Sequence, residues 1–97
     1  MINVGFYYKV KEGHEKEFEE TFDKVVDYLR KEYAGFKNAT LYKNVKEPRE
    51  YLIYSEWEDL DTFKKFISSY AYKSTVDYGK TIIEGRPTHR VFQQVNT

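Results

Sequence analysis

The apolar residues of this chain change their spacing along the sequence, and that change limits the folds available to it. Residues 2–11 alternate between apolar and more polar side chains, which is the period of a β-strand. From Phe18 to Tyr33 the apolar residues instead recur every three or four positions, which indicates an amphipathic helix. A strand and a helix joined in this way are expected to bury their apolar faces against each other.

Two more strands are predicted after the first helix. Gly35 follows the last apolar position of that helix and is suited to a left-handed cap. Residues 36–45 and 50–58 are the second and third predicted strands, and a turn through Pro48 joins them. This pairing is expected to form an antiparallel hairpin.

A second helical stripe follows the third strand, and its continuity is in question. Asp59 is placed to cap this helix. The stripe consists of Phe63, Phe66, Ile67 and Tyr70. Because Ser68-Ser69 can interrupt it, we expect a bent or two-piece helix that ends at Gly85-Arg86-Pro87. Residues 88–95 are the last predicted strand.

The resulting order, βαββαβ, predicts an α+β, ferredoxin-like domain over residues 1–97, with a four-stranded antiparallel sheet and two helices on one face. The predicted outer face of the sheet carries Tyr7, Thr40, Tyr42, Leu52, Tyr54, Arg90 and Phe92. Because this face is too aromatic for solvent and too polar for a dry core, we expect a homodimer formed through it. The alternative is a monomer with a tyrosine-rich outer face.

Composition argues against several functional classes. Sixteen Lys and Arg balance sixteen Asp and Glu, so no net field attracts nucleic acid or a membrane surface. The third strand also lacks the basic-glycine-aromatic pattern of RNA-recognition modules, which share this element order. The absence of cysteine excludes disulfides, thiolate metal sites and a cysteine nucleophile. The first residues begin a strand rather than a signal peptide, so we expect a cytoplasmic protein.

The sequence contains no recognisable motif of catalytic or metal-binding polar residues. His14 and His89 are the two histidines, and their spacing does not place two metal ligands on one face. His14 is expected in solvent, and His89 is more consistent with a structural histidine bonded to a tyrosine hydroxyl or a carbonyl than with a catalytic one. The glutamates of residues 15–20 are interpreted as a solvated helix face. No glycine-rich elbow or phosphate loop is present.

Aromatic side chains remain as candidate ligand contacts. They make up 19% of the chain. The candidate substrate-binding residues are Phe6, Tyr8, Trp57, Phe63, Tyr72 and His89. Plain core packing is the alternative, and we favour it for Phe63. For Trp57, at the junction of the third strand and the second helix, the sequence leaves open whether the indole plugs the core or walls a pocket.

The segment Ile53-Tyr54-Ser55-Glu56-Trp57-Glu58-Asp59, followed by Phe63 and by Ser69-x-x-x-Lys73, resembles the antibiotic biosynthesis monooxygenase superfamily. The N-terminal strand and Gly35-Phe36 extend this resemblance over nearly the whole chain. It implies a dimeric α/β barrel, in which two protomers face their sheets and each binds a ligand between sheet and helices. It also implies that an electron-rich aromatic substrate reacts directly with dioxygen in a shaped cavity.

The resemblance does not extend to the polar residues known in that superfamily. Its haem-degrading members use an Asn, a Trp and a His at positions that carry Phe6, Trp57 and Val76 here. Its quinone-forming members place an Asn where Ile53 stands. We therefore expect no haem or other cofactor, and a small apolar or aromatic ligand oriented by Tyr72, Tyr78 or His89. A cofactor-independent monooxygenase, a non-enzymatic binding or sensing module and a pocketless structural dimer all remain open.

Overall fold

The computed structural model describes residues 1–95, which form one four-stranded antiparallel sheet covered on one face by helices. The elements are β1 (Ile2–Lys9), α1 (Glu15–Glu32), β2 (Phe36–Lys43), β3 (Glu50–Trp57), α2 (Leu60–Ile67), α3 (Tyr70–Gly79) and β4 (Thr88–Gln93). The strands lie in the order β2-β3-β1-β4. The predicted ferredoxin-like plan, with its second helix in two pieces, is confirmed. None of the helices described has the length and apolar character needed to cross a bilayer.

The boundaries of α2 and α3 follow from two side-chain caps. Asp59 Oδ1 accepts a hydrogen bond from the Thr62 backbone N–H at 2.8 Å, as the sequence predicts. Ser69 Oγ accepts from the Tyr72 N–H at 3.1 Å, and the Ser69 hydroxyl donates to the Phe66 carbonyl at 2.6 Å. Ser69 thus bonds to the last turn of α2 while it caps α3, which explains the break between the two helices.

Two glycine-based predictions are wrong. Gly35 does not adopt a left-handed conformation, because the positive-φ residues of the described chain are Gly13 and Gly85. A Cβ at Gly35 would lie 2.6 Å from Thr62 Oγ1, so this glycine permits close approach to α2 instead. The helical segment also ends at Gly79, before the predicted stop at Gly85-Arg86-Pro87.

The apolar side chains of the sheet and helices form two clusters. The larger one contains Ile2, Val4, Phe6, Val26, Leu29, Phe36, Trp57, Phe63 and Phe66. The smaller one contains Val10, Phe18, Tyr51 and Ile82, where Val10 pairs with Ile83 in an isolated bridge. Tyr70 is not part of either cluster, since it begins α3 and is 84% exposed. The predicted extension of the helical stripe to Tyr70 is therefore wrong.

The outer face of the sheet carries the aromatic side chains that the sequence predicts for it. The strand register places Tyr7, Leu52 and Tyr42 in one row across the sheet. Arg90, Gly5 and Tyr54 occupy the next row. Large exposed side chains on this face are Tyr7, Tyr42, Tyr54 and Phe92. No helix covers them within the described chain, so the outer face is open to a partner.

Candidate functional site

A cavity of about 260 Å³ lies between the inner face of the sheet and the helices. Its walls come from all four strands, from α1, α2 and α3 and from the segment before β4, and most of the side chains are aromatic or aliphatic. A dry protein cavity of about 150 Å³ is enough for one benzene molecule. The cavity in this chain therefore has room for a molecule of one or two rings.

Five of the six candidate residues line this cavity. They are Phe6, Tyr8, Trp57, Tyr72 and His89. Phe63 is not among the lining residues. It is buried in the larger core cluster, where its ring lies 5.4 Å from that of Trp57 and 6.0 Å from that of Phe6. Phe63 is thus packed as core, the alternative that the sequence favours for it.

Trp57 is mainly a core residue with one edge on the cavity. Its side chain is 1% exposed. The ring centroids of Phe36, Phe63 and Phe66 lie 5.2, 5.4 and 5.5 Å from that of the indole. Aromatic contacts at these distances fix the indole in place. Both alternatives left open by the sequence therefore apply, since the residue plugs the core and also contributes to the cavity wall.

The polar group of Trp57 is already engaged. Its Nε1–H donates to Ser55 Oγ at 3.0 Å, and the Ser55 hydroxyl donates to the Val4 carbonyl at 2.9 Å. Ser55 is 2% exposed and also lines the cavity. Ser55 is not among the site residues predicted from the sequence, although a serine on the buried face of a strand, two residues from a tryptophan, was an available signal. The indole N–H is consequently not free to bind a ligand.

Tyr8 and Tyr72 bring two unpaired hydroxyls to the cavity. The Tyr8 ring lies 5.4 Å from that of Phe18, and the Tyr72 ring lies 5.1 Å from that of Phe66. Within residues 1–95 neither hydroxyl has a hydrogen-bond partner. Burial raises the pKa of Tyr8 far above its usual value, and the nearby Tyr72 adds to this effect. Burial also raises the pKa of Tyr72. Both side chains are therefore neutral donors at physiological pH.

His89 lies on the inner face of the exposed edge strand β4, opposite Phe6 in the strand register. Its ring centroid is 5.7 Å from that of Phe6 and 6.0 Å from that of Phe63. The predicted bond to a tyrosine hydroxyl or a carbonyl is not present in the part of the chain that the structure describes. Because His89 lines the cavity and is also exposed, it marks the mouth of the cavity.

A polar link joins α1 and α3 at the edge of the cavity. The Tyr78 hydroxyl donates to Glu17 Oε2, and Glu17 Oε1 lies 3.0 Å from His14 Nδ1. The hydrogen bond from Tyr78, followed by that from His14, lowers the pKa of Glu17. Glu17 was predicted to lie on a plain solvated face, and this link was not predicted, because the partner on α3 is 61 residues away in the sequence.

A second glutamate of the same helix face is also paired. Glu19 accepts a hydrogen bond from the Tyr51 hydroxyl at 2.6 Å, and Lys43 Nζ lies 3.1 Å from the same carboxylate. No group of three His, Cys, Asp or Glu side chains in residues 1–95 could hold a metal ion.

Comparisons with known proteins agree with the fold. A family model described as antibiotic biosynthesis monooxygenase matches residues 1–78. A protein of Natronomonas pharaonis, provisionally named as haem-binding, is 33% identical over 86 residues, which are 89% of this chain and 14% of that protein. A similarly named protein of Haloarcula marismortui is 31% identical over 86 residues, or 89% and 13% of the two chains. The chain thus spans about one seventh of the length of these curated relatives.

Solved structures match over almost the whole chain at low sequence identity. SnoaB, a cofactor-independent oxygenase from Streptomyces nogalater, has a TM-score of 0.85 at 19% identity and covers 99% of this chain and 94% of its own. A provisionally named antibiotic biosynthesis monooxygenase from Deinococcus radiodurans has a TM-score of 0.88 at 11% identity, covering 100% and 95%. These similarities concern the fold.

The residues around the cavity do not fit haem. A haem iron needs an axial His, Cys, Met or Tyr. Among the described lining residues, His89 stands at the mouth and Tyr78 is bonded to Glu17. Burial raises the pKa of Tyr8 and of Tyr72, which disfavours the phenolate that would bind iron. The volume of about 260 Å³ is below the range of roughly 300–1,000 Å³ typical of sites for drug-sized ligands, which are smaller than haem. Among the described lining residues, Lys80 is the one Lys or Arg available for the two propionates. The haem-binding names therefore describe the longer relatives, of which this chain matches about one seventh.

Proposed function

Because the chain belongs to the antibiotic biosynthesis monooxygenase family, we propose that it binds a small, largely apolar aromatic molecule between its sheet and helices. The observation that supports this proposal is the cavity of about 260 Å³ beside Trp57. Protein interiors are normally close-packed, with few voids larger than a water molecule. An aromatic-lined space of this size, reached past His89, is suited to a ligand and argues against a pocketless structural dimer.

Calorimetric titration with one- and two-ring aromatic hydrocarbons, ketones and phenols tests this proposal. We expect saturable binding of at least one of these compounds by the wild-type chain. Val76 lines the cavity on α3, so Val76→Phe should fill it and abolish binding. Val45→Phe is the matched control, because Val45 is 95% exposed in the loop after β2. Failure of every compound to bind, or unchanged binding by Val76→Phe, would contradict the proposal.

Oxygenation of the bound molecule without a cofactor is the second candidate function. The structural similarity to SnoaB, which is named as a cofactor-independent oxygenase, favours it. In such chemistry a deprotonated substrate supplies the electrons to dioxygen, and one oxygen atom leaves as water. Hydrogen-bond donors in a water-poor cavity stabilise the developing anion, and Tyr8 and Tyr72 would supply them here. His89 at the mouth would orient the substrate or accept its proton.

Dioxygen uptake separates the two candidate functions. Phenols and hydroquinones that bind are added under air, and oxygen consumption is followed with an electrode. Consumption that depends on the protein and is lost in Val76→Phe would support a monooxygenase. Binding without consumption would leave a non-enzymatic binding or sensing module, which is our alternative.

We also propose that two copies pair through their outer sheet faces. Exposed aromatic side chains such as Tyr42 and Phe92, which are 52% and 50% exposed, support this pairing. Arg90 and Glu56 lie on the same face and can pair across a twofold axis or hold interfacial water. The cytoplasm is the location that we propose for this dimer.

A further inference from the structure

The two unpaired tyrosine hydroxyls limit the chemical class of the ligand. Building on the proposed binding function, we infer that Tyr8 and Tyr72 donate hydrogen bonds to a carbonyl oxygen of the ligand. The ligand is accordingly a neutral aromatic ketone or quinone of one or two rings.

The two hydroxyls belong to opposite walls of the cavity. Tyr8 is on β1, in the sheet, and Tyr72 is on α3, in the helical layer. Their rings are held against Phe18 and Phe66, so the two donors are positioned before a ligand arrives. They are also near enough for ionisation of Tyr72 to raise the pKa of Tyr8. A carbonyl oxygen has two lone pairs and can accept from both donors at once.

The other hydroxyl and N–H donors of the inner cavity are satisfied within the protein. The Thr21 hydroxyl donates to the Glu17 carbonyl at 2.8 Å, and the Thr75 hydroxyl donates to the Ala71 carbonyl at 2.9 Å. The Trp57 N–H is bonded to Ser55. The two tyrosine hydroxyls are therefore the donors of the inner cavity that remain available to a ligand acceptor.

The charges around the cavity favour a neutral ligand. Lys80 and His89 line the cavity but are exposed, so neither places a buried positive charge against a ligand carboxylate. A carboxylate in the aromatic interior would lose its hydration without an ion-pair partner. A ketone or quinone oxygen needs hydrogen-bond donors alone, and the two phenols provide them.

Matched ligands and variants test this assignment by calorimetry. The ligands are 1-tetralone, tetralin, which has the same skeleton without oxygen, and 1-naphthoate as the anion. The variants are Tyr8→Phe, Tyr72→Phe and the control Tyr70→Phe, since Tyr70 is 84% exposed on the same helix as Tyr72. We expect each cavity variant to weaken 1-tetralone binding roughly fivefold, the effect of one net hydrogen bond, with tetralin binding unchanged. Tyr70→Phe should change neither affinity.

The possible results distinguish failure of this inference from failure of the proposed function. If tetralin and 1-tetralone bind but the cavity variants weaken both equally or neither, the carbonyl assignment is wrong and the binding site stands. Tighter binding of 1-naphthoate than of 1-tetralone would also overturn the assignment. If neither neutral compound binds the wild-type chain, both proposals fail.

The unliganded protein provides a second readout. Tyr8→Phe and Tyr72→Phe each remove a hydroxyl that is not bonded to another described residue and keep the ring, so the melting temperature should not fall. A fall of several degrees would show that the hydroxyls are bonded within the free protein. That result would contradict their role as donors to a ligand.

Discussion

At the scale of single residues, Trp57 both packs in the core and contributes to the cavity wall. Three aromatic rings and the Ser55 hydroxyl hold the indole in the core, and the remaining edge borders the cavity. Because the N–H is occupied, Trp57 offers a ligand an apolar contact and no hydrogen bond. The polar contacts in our account come from Tyr8 and Tyr72 instead.

Ser55→Ala tests the hydrogen bond that holds the indole. The change leaves the buried Trp57 N–H without a partner, so we expect the free energy of unfolding in urea to fall by about 1–3 kcal/mol. Ser74→Ala is the control, because Ser74 is exposed on α3 and should change stability by less than about 0.5 kcal/mol. Equal stabilities for the two variants would show that the Ser55 bond contributes nothing.

Some residue roles could be predicted from the sequence and others could not. Phe6 and Tyr8 could be placed near a cavity because the strand period points them inward, whereas Tyr72 lay outside the predicted helical stripe, which ran to Tyr70. The unpaired state of the two tyrosine hydroxyls could not be predicted, because hydrogen-bond partners come from other elements of the fold. Ser55 carried a readable signal as a buried serine beside a tryptophan.

At the scale of secondary structure elements, local signals were sufficient where a side chain caps its own helix. Asp59 and Ser69 cap α2 and α3 in this way, and both boundaries were predictable. Gly35 shows the opposite case, since its role depends on the approach of Thr62 from another element. The true end of the helical segment at Gly79 also depends on tertiary structure, because the chain after it pairs with Val10.

The link between α1 and α3 should depend on pH. Hydrogen bonds from Tyr78 and then His14 hold the pKa of Glu17 below its usual value of 4.5. A carboxyl group whose pKa is lowered by folding stabilises the folded state above its unfolded value, and this contribution disappears as pH falls through the folded value. The link should therefore be intact at neutral pH and lost progressively below pH 4.5.

Melting temperatures of wild-type and Tyr78→Phe chains from pH 7 down to pH 3 measure this dependence. The variant should melt at a lower temperature at neutral pH, and the difference should shrink as Glu17 is protonated. Tyr70→Phe is the control, because it shows how the melting temperature depends on pH through other carboxylates, such as Glu84 beside Arg49. A difference between wild-type and Tyr78→Phe that stays constant over the whole range would contradict the assigned link.

At the scale of the whole molecule, the fold was predictable and the cavity volume was not. Apolar residues that repeat every two positions indicate strands, and those that repeat about every 3.6 positions indicate helices. Their order along the chain determines the βαββαβ plan, because each apolar face has one favourable place to pack. The cavity volume is a small difference between the space enclosed by the elements and the side chains that fill it. Changing how a few rings such as Phe22 or Tyr8 pack would alter that volume, and the sequence does not specify their positions.

The outer sheet face predicts a dimer. Sedimentation at micromolar concentration should give about twice the chain mass of 11.7 kDa. Tyr54→Lys adds a charge to the centre of the face and should shift the chain toward the monomer, because each copy would then bury that charge. Tyr70→Lys, on an exposed helix position, should leave the mass unchanged. A wild-type chain that sediments at 11.7 kDa would contradict the dimer.

The binding cavity is the central claim, and an amide and indole N–H spectrum of ¹⁵N-labelled protein titrated with 1-tetralone tests it most directly. Our account predicts saturable shifts of the Trp57 indole N–H and of the Tyr8 and Tyr72 amides, which surround the cavity. The amides of Tyr42 and Val45, near the end of β2 and in the exposed loop after it, should move much less. An unchanged spectrum, or shifts confined to the outer face, would contradict a ligand site between the sheet and the helices.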